Sequence, residues 1–239
     1  MTLVSRASGI VIPLRTKYTT PNAAHSALLT IDVQCDFTGA GGAAPVAGTS
    51  ERVPAMRRIV AAYRNYRLPI VHVVRLYALD GTNVDLCRRE MVELGKEIAC
   101  PGTVGAELVP DLKPNPEVQL DADILLGGKL QTLGTNEWAM YKPRWDAFYE
   151  TPLDRHLRSL AVNTVVVVGC NFANCPRATA YGASMRDFRA VLIPDAVSGA
   201  YDQGLQELNA IGIETPTSDQ YINWLAESLP MHAANSAVT

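Results

Sequence analysis

The stretch NTVVVVGCNFANCPRATAYGASMRDF, residues 163–188, decides the fold of this chain. Its four consecutive valines before Gly169 are typical of a strand that is covered on both faces of a parallel sheet. A polar turn follows, and Cys175 stands where a helix is expected to begin. The partial positive charge of a helix N-terminus lowers the pKa of a thiol and leaves backbone N–H groups for an anion. The stretch therefore predicts a reactive cysteine at the carboxyl edge of a sheet.

Buried strands and helices alternate along the rest of the chain. The residue patterns predict strands over 26–33, 68–76, 137–142, 163–169 and 190–193, and helices over 49–66, 84–94, 152–160, 175–187, 201–210 and 218–229. Alternating elements imply parallel strands joined by right-handed crossovers. The predicted fold class is α/β, a three-layer α-β-α arrangement with a mainly parallel central sheet. Its functional site is expected at the carboxyl edge of the strands.

The length of 239 residues is enough for one full core, and we predict a single domain over 1–239. Residues 77–134 carry weaker patterns and are interpreted as an irregular insertion that forms a pocket wall. The two ends, 1–24 and 230–239, are predicted to be flexible. Substrate selection is expected to depend on the insertion.

Composition excludes several function classes. The net charge of -3 gives no electrostatic reason to expect nucleic acid or an anionic membrane as a partner. No apolar run approaches the roughly 18 residues of a membrane span, and no secretory signal is evident. Five scattered cysteines, an odd number, favour reduced thiols and a cytoplasmic location.

Three chemically reactive residues fall at the predicted ends of strands: Asp32, Lys142 and Cys175. The carboxyl ends of parallel strands converge on one crevice, so a carboxylate, a cation and a thiol are expected together. The carboxylate can take the thiol proton and return it to a leaving amine. The lysine would favour both anions. Taken alone, Asp32 could equally cap the turn that follows it.

Four motifs, in this order, resemble those of the isochorismatase-like cysteine hydrolase superfamily: DVQCDF (32–37), GTVGAELVP (102–110), YKPRWDAFYETPL (141–153) and GCNFANCPRATAYGASMRDFRAVLIPDAVSG (169–199). That superfamily includes nicotinamidases, N-carbamoylsarcosine amidases, ureidoacrylate amidohydrolases and streptothricin hydrolases. The resemblance implies that Asp32, Lys142 and Cys175 are the catalytic triad. It also implies a non-proline cis peptide near Cys170 and Asn171, a small amide-type substrate and a homo-oligomer, either dimer or tetramer.

Two departures from the family pattern narrow the expected subgroup, the expected metal content and the expected substrate. Pro176 follows the cysteine where valine is common, which resembles the streptothricin-hydrolase-like members. Metal-holding nicotinamidases carry an Asp-x-His pattern, whereas this chain has Asp80 and Asp85 but no histidine between positions 73 and 155. We therefore expect no metal and no cofactor, and nicotinamide becomes a less favoured substrate.

The leading hypothesis is a cysteine-dependent amidohydrolase that cleaves a C–N bond of a small amide, ureide or lactam through a thioester. One alternative is an isochorismatase-type enol-ether hydrolase without covalent catalysis, which would need the acid but no thiol. A second alternative is a non-enzymatic binding member of the fold.

Neighbouring residues are assigned with their alternatives open. Asn171 and Asn174, with the backbone N–H groups of the turn up to Cys175, could stabilise an oxyanion or simply shape the turn. Phe37, Trp145 and Phe172 are candidate substrate-binding walls, or aromatic packing under loops. Gln34 could hydrogen-bond the turn after Asp32 or contact the substrate, and we favour the structural role. The other residues expected to be structural are the core histidine His72, His156 on a surface helix and Asp195 as a strand-end cap.

Overall fold

A six-stranded sheet forms the centre of the protein, and its strands lie in the order β3-β4-β2-β1-β5-β6. The computed structural model describes residues 16–229. All neighbouring strands are parallel except β3 and β4, which are antiparallel. The strands are β1 (Ser26–Ile31), β2 (Ile70–Val74), β3 (Gln131–Gly134), β4 (Glu137–Tyr141), β5 (Thr164–Gly169) and β6 (Arg189–Val197). The predicted α/β class with a mainly parallel sheet is confirmed.

Helices cover both faces of this sheet. They are α1 (Cys35–Thr38), α2 (Val53–Asn65), α3 (Leu86–Glu93), α4 (Ala122–Leu126), α5 (Leu153–Ser159), α6 (Cys175–Ser184), α7 (Asp202–Ala210) and α8 (Ser218–Ser228). Alternate valines of β5 belong to two separate core clusters, because successive side chains of a strand point to opposite faces. Val165 and Val167 pack with α5, α6 and α7, whereas Val166 and Val168 pack with α2 and α8. The run of valines is therefore buried on both sides.

The structure corrects three sequence predictions about the elements. Strand β6 continues to Val197, beyond the predicted end at Ile193. The insertion 77–134 is less irregular than expected, because it contains α4 and the edge strand β3 in addition to the predicted helix, α3. Residues 16–24 were placed in a flexible end, but the N–H of Asn22 donates to Thr164 Oγ1 at 3.0 Å and Ala23 is buried in the core. The predicted flexibility of 1–15 and 230–239 falls outside the described residues.

Within residues 16–229, no helix is long and apolar enough to cross a membrane. The longest helix, α2, is amphipathic and ends at Asn65.

A buried polar chain crosses the middle of the sheet through His72 on β2. Its Nδ1 lies 2.8 Å from Thr30 Oγ1 and its Nε2 lies 2.8 Å from Glu137 Oε1. Arg64 on α2 donates to both oxygens of Glu137, at 2.6 and 2.9 Å. Both ring nitrogens of His72 are therefore satisfied, which confirms the prediction of a structural core histidine.

Glu137 makes the stability of the fold depend on pH. Burial raises its pKa, but hydrogen bonds from Arg64 and His72 outweigh burial and lower the pKa from 4.5 to about 2. Because the folded-state pKa is depressed, this stabilisation is complete above about pH 4.5 and is lost as the pH falls towards 2. A shift of this size corresponds to about 3 kcal/mol.

We predict that Glu137→Gln lowers the free energy of unfolding at pH 6 by about 3 kcal/mol and that the difference from the unsubstituted protein shrinks as the pH approaches 3. Urea denaturation of both proteins at a series of pH values measures it. A difference that stays constant with pH would contradict this assignment.

Candidate active site

Three strand ends meet at one edge of the sheet, and each delivers a reactive side chain. Asp32 directly follows β1, Lys142 directly follows β4, and Cys175 is the first residue of α6 after the turn that leaves β5. The backbone N–H of Asp32 donates to Val73 O at 2.9 Å. Asp32 has a positive φ of 54°, a conformation that aspartate tolerates better than most residues and that is frequent at functional sites.

Lys142 and Asp32 form a buried ion pair. Lys142 Nζ donates to Asp32 Oδ2 at 2.8 Å, and the lysine side chain is fully buried. The second carboxylate oxygen, Oδ1, is buried without a hydrogen-bond partner among the described residues. The lysine therefore holds one oxygen of the carboxylate and leaves the other available to accept a proton.

Cys175 lines the same pocket as Asp32, and its side chain is buried. Burial raises the pKa of its thiol, and the negative charge of Asp32 acts in the same direction, while Lys142 and Arg75 lower it. The net shift is upward, contrary to the lowered pKa that the sequence predicts for a thiol at a helix N-terminus, because burial and Asp32 outweigh the two cations. The resting thiol is protonated at neutral pH and needs a base to become a nucleophile.

Arg75, which directly follows β2, is a member of the site that the sequence analysis missed. Its guanidinium is buried, with Nη2 3.6 Å from Cys175 Sγ and Nε 3.9 Å from Asp32 Oδ2. The available signal was its position: a charged residue directly after a buried strand, as for Asp32. It was instead included in the predicted strand 68–76.

Gln34 and Asp85 fix the position of Arg75. The amide oxygen of Gln34 accepts the backbone N–H of Arg75 at 2.8 Å, and its Nε2 donates to Arg75 O at 2.7 Å and Ala106 O at 2.6 Å. Asp85 Oδ2 lies 3.0 Å from Arg75 Nη1 and accepts the hydroxyl of Tyr77 at 2.9 Å. The structural role predicted for Gln34 is thus confirmed.

The turn from β5 to α6 begins with a cis peptide bond between Cys170 and Asn171, as the resemblance implied. Gly169 before it has a φ of 126°, and a Cβ there would lie 2.1 Å from Ile31 O, so only glycine fits this close approach of β1 and β5. The N–H of Phe172 donates to Ser198 O and that of Asn174 to Asn171 O. Among the turn residues that line the pocket, Asn171 and Cys175 keep backbone N–H groups without an acceptor in the described residues, so these two are the candidate oxyanion donors.

The pocket at this edge encloses about 300 Å³ of empty space, its mouth included. Tyr77 and Arg88, both from the insertion 77–134, form part of its wall. The carbonyl oxygen of the Asn171 side chain is buried without a hydrogen-bond partner among the described residues, which makes it a candidate acceptor for a substrate N–H. The lining residues are Asp32, Phe37, Val46, Arg75, Tyr77, Arg88, Cys170, Asn171, Asn174 and Cys175.

Of the three aromatic residues predicted as pocket walls, the structure brings only Phe37 to the pocket lining. Phe172 is fully buried in the core, where its ring meets Tyr201 edge to face at 5.1 Å. Trp145 is 41% exposed and is not among the lining residues. Adjacency in sequence to a catalytic residue did not fix the direction of these two side chains.

His156 and Asp195 lie outside the pocket lining. The ring of His156 packs edge-on against Trp138, with 4.6 Å between centroids, and burial lowers its pKa. Asp195 lies inside β6 rather than at its end, and it accepts the N–H and the hydroxyl of Ser218 at 2.7 and 2.5 Å. It therefore anchors the start of α8, which corrects its interpretation as a strand-end cap.

In residues 16–229, no group of three or more histidine, cysteine, aspartate or glutamate side chains is arranged to hold a metal ion. The expectation of a metal-free and cofactor-free site remains a prediction.

Comparisons of the sequence and of the structure with known proteins lead to the same family. The model of the Isochorismatase domain matches residues 26–219. A probable inactive nicotinamidase of Arabidopsis thaliana is 31% identical, over 84% of this chain and 97% of its own. The ureidoacrylate amidohydrolase RutB of Methylobacterium radiotolerans is 25% identical, over 96% of this chain and 86% of its own. An isochorismatase family protein of Desulfovibrio vulgaris superposes with a TM-score of 0.72 at 29% identity, over 84% of this chain and 98% of its own. From the matched domain, the sequence relatives and the shared fold, the chain belongs to the isochorismatase family of hydrolases.

Proposed function

We propose that the protein is a cysteine-dependent amidohydrolase that cleaves a C–N bond of a small amide, ureide or lactam. The observation that carries the proposal is the arrangement of Asp32. Lys142 holds one of its oxygens at 2.8 Å, while the other is unpartnered and the carboxylate shares a pocket with the Cys175 thiol. A thiol with a raised pKa beside a carboxylate is suited to proton transfer at the moment of attack.

In the first half of the reaction, Cys175 Sγ forms a bond to the substrate carbonyl carbon and its proton passes to Asp32. The carbonyl oxygen takes up negative charge near the N–H groups of Asn171 and Cys175, where each donor is worth about 3–4 kcal/mol. When the C–N bond breaks, Asp32 gives the proton to the departing nitrogen. The products of this half are a thioester on Cys175 and a free amine or ammonia.

In the second half, Asp32 takes a proton from water, and the resulting hydroxide attacks the thioester carbonyl. The C–S bond breaks, and the thiolate recovers the proton from Asp32. Lys142 holds the carboxylate of Asp32 in place through both halves by its hydrogen bond to Oδ2. The cycle consumes one water and restores every group.

The size and polarity of the pocket support a small polar substrate. The cavity itself measures about 20 Å³, room for one small group, and the rest of the space opens to solvent. Phe37 and Val46 supply apolar wall, and the Asn171 oxygen would accept an N–H of an amide or ureide. Among the relatives, the ureidoacrylate amidohydrolase is named for a ureide, and ureides are accordingly the first substrates to test.

We predict that the purified protein hydrolyses at least one member of a panel of small amides, ureides and lactams, with release of ammonia or an amine or with opening of the lactam ring, and that quenching during turnover leaves an acyl group on the peptide that contains Cys175. Ammonia assays and mass spectrometry of the small-molecule products measure the hydrolysis, and mass spectrometry of the peptide measures the acyl group. Turnover of an enol ether without any adduct would support the non-covalent alternative. Absence of both hydrolysis product and adduct across the panel would count against an amidohydrolase, and this outcome is included because one relative, from Arabidopsis, is described as probably inactive.

A further inference from the structure

The guanidinium of Arg75 has three nitrogens with three different surroundings. Nη1 lies 3.0 Å from Asp85 Oδ2 and donates to Pro143 O at 3.0 Å. Nη2 lies 3.6 Å from Cys175 Sγ. Nε is buried without a hydrogen-bond partner among the described residues, 3.9 Å from Asp32 Oδ2.

A purely structural role would account for only one side of this group. The contacts of Nη1 join Arg75 to the insertion and to the loop after Lys142, which is what a structural ion pair does. The other two nitrogens face the reacting sulfur and the catalytic carboxylate instead. Nitrogens that stabilised only the fold would be expected to have acceptors of their own, because unsatisfied buried donors are costly.

Arg75 is also held in place at both its backbone and its side chain. Gln34 binds the backbone N–H and the carbonyl oxygen of Arg75, and Asp85 Oδ2 lies 3.0 Å from Nη1 of the guanidinium. A planar guanidinium presents donors in a fixed geometry, so anchoring one nitrogen fixes the direction of the others. The Nη2 donor is therefore directed at the sulfur before any substrate arrives.

Resting on the proposed function, we propose that Arg75 is a fourth catalytic residue, which stabilises negative charge on Cys175 Sγ. That charge develops twice in the cycle. It appears first as the Sγ–H proton moves to Asp32 and the S–C bond forms. It appears again when the thioester C–S bond breaks and the sulfur keeps the electron pair until Asp32 returns the proton. In both steps the guanidinium donates a hydrogen bond and keeps its own proton.

Two substitutions separate this role from a structural one. Arg75→Gln removes the positive charge, and Arg75→Lys keeps the charge but loses the planar guanidinium with its several donors. The first readout needs no substrate: the rate at which iodoacetamide alkylates Cys175 as a function of pH, followed on its peptide by mass spectrometry. Cys87, which is exposed on α3, is the internal control: its alkylation rate, measured on its own peptide in the same digest, shows the reactivity of the iodoacetamide. The other groups whose charge acts on the sulfur, Asp32, Lys142, Arg88 and Cys170, are unchanged in both variants.

We expect Arg75→Gln to move the alkylation profile of Cys175 upward by about 1–2 pH units, because a neighbouring cation of this kind is lost. Its kcat should fall about 10²-fold, as for the loss of one charge-stabilising donor. Arg75→Lys should keep most of the alkylation profile but lose at least about 10-fold in kcat, because an ammonium cannot reproduce the bidentate geometry. The profile of Cys87 should not move in either variant.

An unchanged alkylation profile in folded Arg75→Gln, or unchanged kcat in Arg75→Lys, would overturn the proposal. If Arg75→Gln does not fold, as judged by circular dichroism, kcat of the charge-retaining Arg75→Lys decides the matter. If no substrate of the unsubstituted protein is found, the proposed function fails, while the alkylation profiles still report whether Arg75 acts on the sulfur.

Discussion

Cys175→Ala should abolish hydrolysis, with a loss of at least about 10³-fold in the rate of ammonia release, because the nucleophile of the first half-reaction is removed. The fold should remain intact. The substitution removes only one sulfur atom from a buried position at the first turn of α6, and alanine is a good helix former. Ammonia release and thermal unfolding measure the two effects on the same preparation.

Cys87→Ala provides the matched control. It makes the same chemical change on α3, where the side chain is exposed and outside the pocket lining. This variant should keep the unsubstituted rate. Full activity in Cys175→Ala would refute covalent catalysis and leave only mechanisms that use Asp32 as an acid or base without a thiol.

Asp32→Asn should change activity and thiol reactivity in opposite directions. Hydrolysis should fall by about 10³-fold, because the amide cannot accept the thiol proton. Alkylation of Cys175 at neutral pH should become faster, because the negative charge of Asp32 raises the pKa of this thiol and its removal lowers that pKa. Asparagine also tolerates the positive φ of position 32. Iodoacetamide kinetics on the peptide that contains Cys175, together with the ammonia assay, measure both directions.

Loss of the carboxylate also leaves Lys142 buried without its partner, and we expect a decrease in the free energy of unfolding of about 3 kcal/mol. Asp111→Asn, the same change at an exposed position, controls for the chemistry of the substitution. If Asp32→Asn were inactive and its Cys175 were alkylated more slowly, Asp32 would be supporting the ionised thiol rather than receiving its proton. The proposed mechanism would then be wrong.

The sequence was sufficient to predict the part of the site that depends on strand ends. Parallel strands bring their carboxyl ends to one edge, and the motifs around Asp32, Lys142 and Cys175 gave each residue a role. The structure places these three strand ends together and joins Asp32 to Lys142. The catalytic roles themselves remain predictions that the two variants above test.

The parts that the sequence did not reveal have two physical causes. The edge strand β3, with the residues QTLG, is only partly buried, so it lacks the apolar run that marks a central strand. Side-chain direction in turns depends on contacts that are distant in sequence, such as the packing of the Phe172 ring against Tyr201, and adjacency to Cys175 gave no information about it. Arg75 could have been predicted as a site residue from the sequence, because it directly follows a strand as Asp32 does.

The separation of the paired residues along the chain has a consequence for folding. Lys142 and Asp32 are 110 residues apart, and Arg75 and Cys175 are 100 apart. Contacts between distant segments form late, because the entropy of closing long loops must be offset before they stabilise anything. The ion pair therefore needs β1, β2 and β4 to be assembled, and the contact between Arg75 and Cys175 needs β5 as well. Regain of catalytic activity during refolding would accordingly report assembly of these four strands, whereas helix content would recover earlier.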